Sequence, residues 1–342
     1  MAAPASVATF WLPAWATLRA HIAPTLALHR LACRADREVS EAGEAPRLAR
    51  SFDVLPRSAL PVAALTRQHD AGDALQFTWL RADPACVRPD MASARLLACG
   101  DLDISAEECE ALLAPLRPLF GDEGFPISAP VPSRWYLCLP QEARLPEFAP
   151  PEAVFGDDLF AYLPEGDGGR RWRRLLNEAQ VVLHNHPINA RRVAAGKLPV
   201  NSLWFWGGGR LPAPVRSSCA EVHSDDVVVA ALAERAGARH AARPTAWPDA
   251  FSPLGMVARM EQDQDRRMLH SLGVDDTDQH DRLFDFRQLR DIAWLDSQWL
   301  EPAMRSVAAG HLAALELDFG DGLLLRWQRH HRWRVWRRRL PA

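Results

Sequence analysis

The segment HPINARRVAAGKLPVNSLWFWGGG concentrates polar side chains that suit the binding of an anion. The guanidinium group of Arg192 can hold a phosphate or a carboxylate through two parallel hydrogen bonds. The side-chain amides of Asn189 and Asn201 can donate to the same anion. His186 begins the segment, and the backbone at Gly208 can approach a ligand closely because glycine has no Cβ. These residue types predict an anion site formed by His186, Asn189, Arg192, Asn201 and Gly208.

An alternative interpretation gives the same residues purely structural roles. Asparagines commonly form turns, a triple glycine can turn the chain, and His186 can cap a helix. His184 and His186 are two residues apart, which suits two metal ligands on an extended segment. No Cys, Asp or Glu lies nearby at a metal-ligand spacing, so the segment predicts no metal site. The residue types alone do not distinguish an anion-binding role from a structural role.

The elements that must position this segment alternate between strands and helices. VATFWL near the N-terminus and VNSLWFW before the glycines are apolar strands, and RRWRRLLNEAQVVLHN is an amphipathic helix that ends before Pro187. Ser105 and Glu108 form a capping box at a helix start. Ser224 is expected to cap a helix that ends at Gly237, and LAALELDFGDGLLLRWQ is a hairpin with a GDG turn. This alternation favours an α/β fold with a doubly wound, mostly parallel sheet.

The composition restricts the class of protein. A length of 342 residues, with 48% hydrophobic and 24% charged residues, allows two domains or one domain with an inserted cap. The net charge of −3 argues against nucleic-acid binding by the whole chain, because phosphate contacts need a concentrated positive field. The six cysteines contain no CxxC pair, and no apolar run reaches membrane-spanning length. We therefore expect a cytoplasmic protein with no membrane segment and no nucleic-acid partner.

The C-terminal stretch RWQRHHRWRVWRRR interleaves arginine with Trp327, Trp333 and Trp336. This pattern suits contact with an anion or a nucleic acid through aromatic stacking. It also suits an edge strand with solvated arginines and tryptophans that alternate into the core, since positive charge protects a sheet edge from aggregation. We favour the edge strand.

The segment that begins at His186 resembles the HPxNxxRxxxGxxPxN stretch of archaeal-type cofactor-independent phosphoglycerate mutases. With LLNEAQ, PVNSLWFWGGG and the WRVWRR ending, the chain is more similar to the related bacterial regulatory proteins of RpfE type. The resemblance implies a sheet of alkaline-phosphatase-like type in a core formed by residues 1–72 and 200–342. It also implies an inserted, smaller α+β cap domain formed by residues 73–199.

The resemblance further implies two divalent metal ions and a serine nucleophile. It places a metal-binding aspartate after the first strand, where this sequence has Leu12 and Pro13. It places a Ser-Asp pair where this sequence has Leu60 and Pro61. Ser58 replaces the missing serine only if the alignment is shifted. The sequence thus lacks the expected nucleophile and the first metal ligand.

Two later positions correspond to other ligands of these mutases. Asp276 and His280 have the spacing of an Asp-x-x-x-His pair, although DDTDQHD is also typical of an acidic surface loop. Asp321 and Gly322 occupy the place of an Asp-His dipeptide that has lost its imidazole. Because two metal ions need most of their ligands, a partial set binds them weakly. We therefore predict no metal site, with Asp276 and His280 as the remaining candidates.

The sequence predicts a catalytically degenerate protein similar to phosphoglycerate mutases. It would have a regulatory role, bind a small phosphorylated or carboxylated metabolite, and need no cofactor. One alternative is an active 2,3-bisphosphoglycerate-independent phosphoglycerate mutase, an isomerase that uses a divalent metal such as manganese or zinc. Another is an interaction module that docks a protein partner through its Trp- and Arg-rich C-terminus. The regulatory role comes from the resemblance alone.

Overall fold

The computed structural model describes residues 6–55, 60–90, 93–248, 281–337 and 339–341. The chain divides into two compact units, Met1–Val54 with Pro214–Ala342, and Leu55–Ala213. We call them the first and the second unit. The sequence placed the boundaries at residues 72 and 200, whereas the structure has them at 54 and 214. The difference arises because helix Val62–Ala71 and strand Ser202–Arg210 pack together within the second unit.

The secondary structure of the described residues consists of strands of up to 12 residues and α-helices of up to 19 residues. The strands are β1 (Val7–Trp11), β2 (Asp36–Val39), β3 (Phe52–Val54), β4 (Thr78–Pro89), β5 (Ala94–Cys99), β6 (Ile127–Val131), β7 (Arg134–Leu139), β8 (Ser202–Arg210), β9 (Val215–Ser217), β10 (Cys219–His223), β11 (Arg239–Ala241), β12 (Asp281–Asp285), β13 (Ala314–Asp318) and β14 (Leu323–Gln328). The α-helices are α1 (Trp15–Arg19), α2 (Ala27–Arg34), α3 (Glu44–Ser51), α4 (Val62–Ala71), α5 (Ala106–Leu113), α6 (Leu116–Asp122), α7 (Pro151–Val154), α8 (Gly166–His184), α9 (Pro187–Ala194), α10 (Val227–Arg235), α11 (Ile292–Leu295) and α12 (Glu301–Ala309).

The first unit contains a seven-stranded sheet in the order β11-β10-β12-β1-β13-β14-β2. The five neighbouring strands β11, β10, β12, β1 and β13 are parallel to one another. Strand β14 runs antiparallel to both β13 and β2. Aromatic side chains from β1, β12 and the helical turn Asp296–Leu300 fill the core on one face, among them Phe10, Phe284 and Trp299. Burial of each such side chain contributes about 1.5–3 kcal/mol. The predicted α/β fold with a mostly parallel sheet is confirmed.

The second unit contains an antiparallel sheet in the order β5-β4-β7-β6, and β8 pairs with β4. Side chains from α5, α6 and α8 pack in one core with residues of the sheet. Helix α4 lies against β8 at very short range. A Cβ at Gly207 would lie 2.9 Å from Cβ of Val62, and one at Gly209 would lie 2.7 Å from Cβ of Pro61. The glycines of β8 therefore make room for the start of α4.

The predicted helix caps and hairpin are confirmed in part. Ser105 and Glu108 form the predicted capping box of α5. The N-cap of α10 is Asp226, whose carboxylate accepts from two backbone N–H groups, and not Ser224 as predicted. The hydroxyl of Ser224 instead accepts from the N–H of Asp226 and donates to the carboxylate of Asp285. The hairpin formed by β13 and β14 is confirmed.

The C-terminal stretch does not continue β14 as an edge strand. After Gln328 the chain forms a 3₁₀ turn, Arg329–Trp333. The side chain of Trp327 is buried in the core, but Trp333 and Trp336 are 66% and 71% exposed. The expectation that the tryptophans alternate into the core was wrong, because the strand ends before two of them. In the part of the chain that the structure describes, no helix is long and apolar enough to cross a bilayer.

Candidate functional site

The guanidinium of Arg192 makes its hydrogen bonds inside the second unit. Its Nε donates to the carbonyl of Leu198 at 2.9 Å, and its Nη atoms donate to the carbonyls of Leu102 and Asp103. Nη1 also forms an ion pair with Glu108 at 2.6 Å. The side chain has no exposed surface. Arg192 therefore joins the loop after α9 to the start of α5, and its donors point to protein acceptors.

The two asparagines predicted to bind the same anion are also engaged by the backbone. The amide of Asn189 donates to the carbonyls of Leu183 and Val200 and accepts from the N–H of Val200. Asn201 forms a paired contact with the N–H and carbonyl of Val87 on β4. These bonds satisfy backbone groups that a chain reversal would otherwise leave without partners. They fix the connection between α9 and β8.

His186 and Gly208 have local structural contacts as well. Nδ1 of His186 accepts from the N–H of Ile188 at 3.3 Å, which makes this histidine the N-cap of α9. A Cβ at Gly208 would lie 2.5 Å from a methyl carbon of Leu145 and 3.0 Å from one of Leu80, so a side chain there would have to displace these leucines. The five residues predicted to form an anion site thus make hydrogen bonds and packing contacts around the connection between α9 and β8 in the second unit.

The carboxyl edge of the parallel sheet in the first unit carries a different set of polar residues. Ligands of open α/β sheets commonly bind at this edge. Asp285 ends β12, and both of its carboxylate oxygens accept from Arg287, at 2.9 and 2.6 Å. The hydroxyl of Ser224, which follows β10, donates to the same carboxylate at 2.7 Å. The guanidinium of Arg287 also bonds Asp226 at 3.0 Å and contacts Glu44.

A second carboxylate at this edge is also paired with arginine. Asp318 ends β13, and Arg50 on α3 donates to both of its oxygens at 2.8 to 3.0 Å. Nε of Arg47 lies 3.5 Å from the same carboxylate, and Nη2 of Arg47 donates to the carbonyl of Leu12 at 2.8 Å. A Cβ at Gly320 would lie 2.0 Å from Arg47, so this position leaves space for the guanidinium.

We call these charged residues the strand-end network. Arg243 completes it, since its guanidinium donates to the backbone carbonyl of Asp285. Four guanidinium groups and four carboxylates therefore meet at one edge of the sheet, which balances their charges. The members of the strand-end network are Arg47, Arg50, Arg243 and Arg287 with Glu44, Asp226, Asp285 and Asp318.

The pKa directions agree with this pairing. Burial alone would raise the pKa of Asp285, but the hydrogen bonds and positive charge of Arg287 outweigh burial and hold the pKa below its ordinary value. Burial opposes ionisation of Arg287, and the bonds to Asp285 overcome it and raise the pKa of the guanidinium. Both groups are therefore charged at neutral pH.

The described residues at this edge do not suit the two metal ions that the resemblance implies. A metal ion needs free lone pairs on its carboxylate ligands, yet both oxygens of Asp285 and of Asp318 accept from guanidinium groups. The end of β1 is followed by Leu12 and Pro13, which supply no ligand side chain. Within the described ranges, no three His, Cys, Asp or Glu side chains are grouped for a metal.

The other residues that the sequence analysis compared with mutase positions lie in different parts of the chain. Ser58, Asp276 and His280 lie outside the described residues. Pro61 is the N-cap of α4, directly after Leu60. The carboxylate of Asp321 accepts from the N–H of Ala16 at the protein surface.

Sequence reasoning missed the strand-end network, although one signal was available. The strands DRLFD and ALELD each end in an aspartate, Asp285 and Asp318. Because the strands are parallel, their last residues meet at one edge of the sheet. Arg287 follows β12 by two residues, but Arg47 and Arg50 are far away in sequence and gave no such signal.

Part of the chain is similar in sequence to phosphoglycerate mutases. A probable 2,3-bisphosphoglycerate-independent phosphoglycerate mutase of Geobacter sulfurreducens is 33% identical over 109 residues, which cover 32% of this chain and 27% of that protein. The 2,3-bisphosphoglycerate-independent phosphoglycerate mutase of Methanosarcina barkeri is 34% identical over 110 residues, which cover 32% and 28%. The chain thus matches less than a third of the length of either relative. No family model matches it.

Two solved structures are similar over most of the chain, at low identity. A cofactor-independent phosphoglycerate mutase from Thermoplasma acidophilum aligns with a TM-score of 0.41 and 16% identity, covering 95% of this chain and 90% of that one. The PH0037 protein from Pyrococcus horikoshii aligns with a TM-score of 0.42 and 14% identity, covering 94% and 87%. The sequence matches support a relationship to phosphoglycerate mutases, and the resemblance to RpfE-type proteins stays a prediction.

Proposed function

We propose that this chain is a phosphoglycerate-mutase-like protein that does not transfer phosphoryl groups and acts in regulation. The observation that supports it best is the strand-end network of the first unit. Asp285 and Asp318 stand at the ends of the two parallel strands that flank β1, where acidic side chains suit metal ligation. Arginine guanidinium groups already neutralise both carboxylates.

A guanidinium cannot replace the chemistry of a divalent metal. A metal ion activates a hydroxyl nucleophile and withdraws charge from a transferring phosphoryl group, whereas arginine stays protonated and only donates hydrogen bonds. The first unit would therefore need ligands besides Asp285 and Asp318 to bind two metal ions. In the second unit, Leu60 and Pro61 at the start of α4 supply no hydroxyl.

The regulatory part of this proposal rests on the resemblance to RpfE-type proteins. A protein that has lost turnover but kept its fold can act by binding a metabolite or a partner. The anionic metabolite expected from the sequence remains the proposed ligand class. Because the donors of Arg192 and Asn201 already bond to protein acceptors, the proposed binding site of this metabolite lies elsewhere.

An enolase-coupled phosphoglycerate mutase assay on the purified full chain tests the proposal. The assay is run with added manganese, cobalt or zinc and compared with a variant that carries Ser58→Ala and Asp276→Ala. We expect no turnover above the control with any metal. Turnover that the double variant abolishes would make the chain an enzyme and overturn the proposal.

A second candidate function is the docking of a protein partner through the C-terminal stretch. The exposed side chains of Trp333, Val335 and Trp336 favour it, since exposed tryptophans are enriched at protein interfaces. Cross-linking in cells, followed by comparison of wild type with a Trp333→Ala/Trp336→Ala variant, tests it. A specific partner lost only from the variant supports this function, and identical partner sets count against it.

A further inference from the structure

A basic depression lies on the surface of the first unit, beside the C-terminal 3₁₀ turn. Its volume is about 270 Å³. Helices α2 and α12, strand β14 and the turn Arg329–Trp333 all contribute to its wall. The residues that define it here are Arg30, Glu301, Arg305, Trp327, Arg329 and Arg332.

The charge in the basic depression is uncompensated. Glu301 is paired with Arg30 at 3.1 Å, so that carboxylate is already neutralised. Arg305, Arg329 and Arg332 are exposed and form no ion pair with any residue in the described ranges. Four arginines against one glutamate leave three positive charges around a small volume. This excess is local, because the whole chain carries a net charge of −3.

The arginines of the basic depression differ from Arg192 in one decisive respect. The guanidinium of Arg192 donates to four protein acceptors and has no exposed surface. The side chains of Arg329 and Arg332 face solvent, and their fork-shaped donor sets match the oxygens of a phosphate group. Met304 and the indole of Trp327 add apolar surface beside them, which suits a short carbon skeleton.

We propose that the basic depression binds a small phosphate ester. The three guanidinium groups without an ion pair would hold the phosphate, with that of Arg332 lying 4.8 Å from the ring centre of Trp333, and the volume limits the remainder of the ligand to a few carbon atoms. This inference rests on the proposed function, because it names the ligand class and the site for a protein that binds without turnover. A site at α12 and β14 also places ligand binding outside the strand-end network.

The test is isothermal titration calorimetry on the full chain with three probes: glycerol 3-phosphate, 3-phosphoglycerate and glycerate. We expect both phosphate esters to bind and glycerate, which has no phosphate, to fail. An Arg329→Gln/Arg332→Gln variant should weaken binding by about tenfold or more, because two charge-assisted hydrogen-bond donors are lost. Both positions are exposed, so the variant should fold, and its melting temperature checks this. Arg305→Gln provides an independent variant.

The matched control is Arg326→Gln, which removes an exposed arginine of β14 that is paired with Glu316. Its affinity for the esters should equal that of wild type. The inference is overturned if wild type binds neither ester, or if the Arg329→Gln/Arg332→Gln variant binds them as wild type does. It is also overturned if a thymidine oligonucleotide binds more tightly than the esters and loses affinity in Trp333→Ala, since stacking on exposed tryptophan would indicate an extended polyanion.

The coupled mutase assay on the same samples separates this inference from the proposed function. Turnover of 3-phosphoglycerate overturns the proposed function whatever the calorimetry gives. Without turnover, failure of the esters to bind overturns only the inference. Glycerol 3-phosphate lacks the carboxyl group of the mutase substrate, so its affinity reports on the basic depression in either case.

Discussion

The guanidinium of Arg287 donates from Nε and Nη2 to the two carboxylate oxygens of Asp285, at 2.9 and 2.6 Å. The same Nη2 lies 3.0 Å from Asp226, and Nη1 contacts Glu44. One arginine therefore contacts three carboxylates that lie at the ends of different elements of the first unit. This bonding pattern is the strongest physical reason to expect that the charged side chains at the sheet edge stabilise the fold.

Loss of Arg287 should destabilise the first unit strongly. The side chains of Arg287 and Asp285 are only 17% and 9% exposed, so Arg287→Ala leaves a buried carboxylate without its partner. We expect a loss of about 3–5 kcal/mol in the free energy of unfolding, measured by urea denaturation. The control Arg326→Ala breaks an exposed pair with Glu316 and should cost no more than about 1 kcal/mol. Equal losses in the two variants would contradict a buried, stabilising network.

A methyl group at Gly320 should displace Arg47. The φ angle of Gly320 is +69°, and a Cβ there would lie 2.0 Å from the guanidinium. Gly310 has a φ of +86° and open space around it, so Gly310→Ala reports the backbone cost alone, about 1–2 kcal/mol. Gly320→Ala should cost about 1–3 kcal/mol more, because Arg47 loses its buried hydrogen bonds.

A double-mutant cycle identifies the cause of that extra cost. In an Arg47→Ala background, Gly320→Ala should cost the same as Gly310→Ala, since the guanidinium is gone. Thermal or urea unfolding of the four proteins of the cycle gives the coupling. If the extra cost persists without Arg47, the contact with the guanidinium is not its source.

Arg192 should prove essential for stability and dispensable for binding phosphate esters. Arg192→Ala removes a buried cation from Glu108 and leaves the carbonyls of Leu102 and Leu198 without a donor, so we expect a loss of about 3–5 kcal/mol. Lys197→Ala, which breaks an exposed pair with Asp103, should cost no more than about 1 kcal/mol. Calorimetry with glycerol 3-phosphate should give wild-type affinity for the folded fraction of Arg192→Ala. A stable Arg192→Ala variant that has lost affinity for glycerol 3-phosphate would show that Arg192 belongs to an anion site.

The stability of the first unit should fall in acid because of Asp285. Its pKa in the folded protein lies below the ordinary value of 3.8, since the bonds and charge of Arg287 outweigh the opposing effect of burial. A lowered folded pKa gives stability that is complete above the unfolded pKa and is lost as the pH falls through the folded value. Urea unfolding between pH 7 and pH 2 should show this loss below about pH 4. Asp285→Asn should be less stable at neutral pH and show a smaller acid-dependent loss, and an unchanged profile would contradict the assignment.

Much of the fold could be predicted from the sequence because its signals are local. The capping box of Ser105 and Glu108, the hairpin around the GDG turn and the alternation of strands and helices depend on residues close in the chain. The boundary between the units could be predicted less well from the sequence. It depends on the glycines of β8 that let α4 approach, a contact between segments more than a hundred residues apart.

The candidate site was less predictable than the fold. A sequence pattern identifies arginine and asparagine as groups able to bind an anion, but it does not reveal whether their donors are already used. The acceptors of Arg192 include two carbonyls and a carboxylate about ninety residues away, so its engagement is a tertiary fact. The basic depression likewise joins Arg30 to residues near 305 and 330.

The α/β class could be derived from the amino-acid sequence, and so could the presence of Leu60 and Leu12 where the resemblance to the mutases implies a serine and an aspartate. Which charged side chains meet depends on the folded arrangement of the first unit. Parallel pairing through β1 brings the ends of β12 and β13 to one edge, and α3 supplies Arg50 to Asp318 from 268 residues away. The physical reason is that strand and cap formation depend on near neighbours, whereas the state of a charged group depends on the partners that folding places around it.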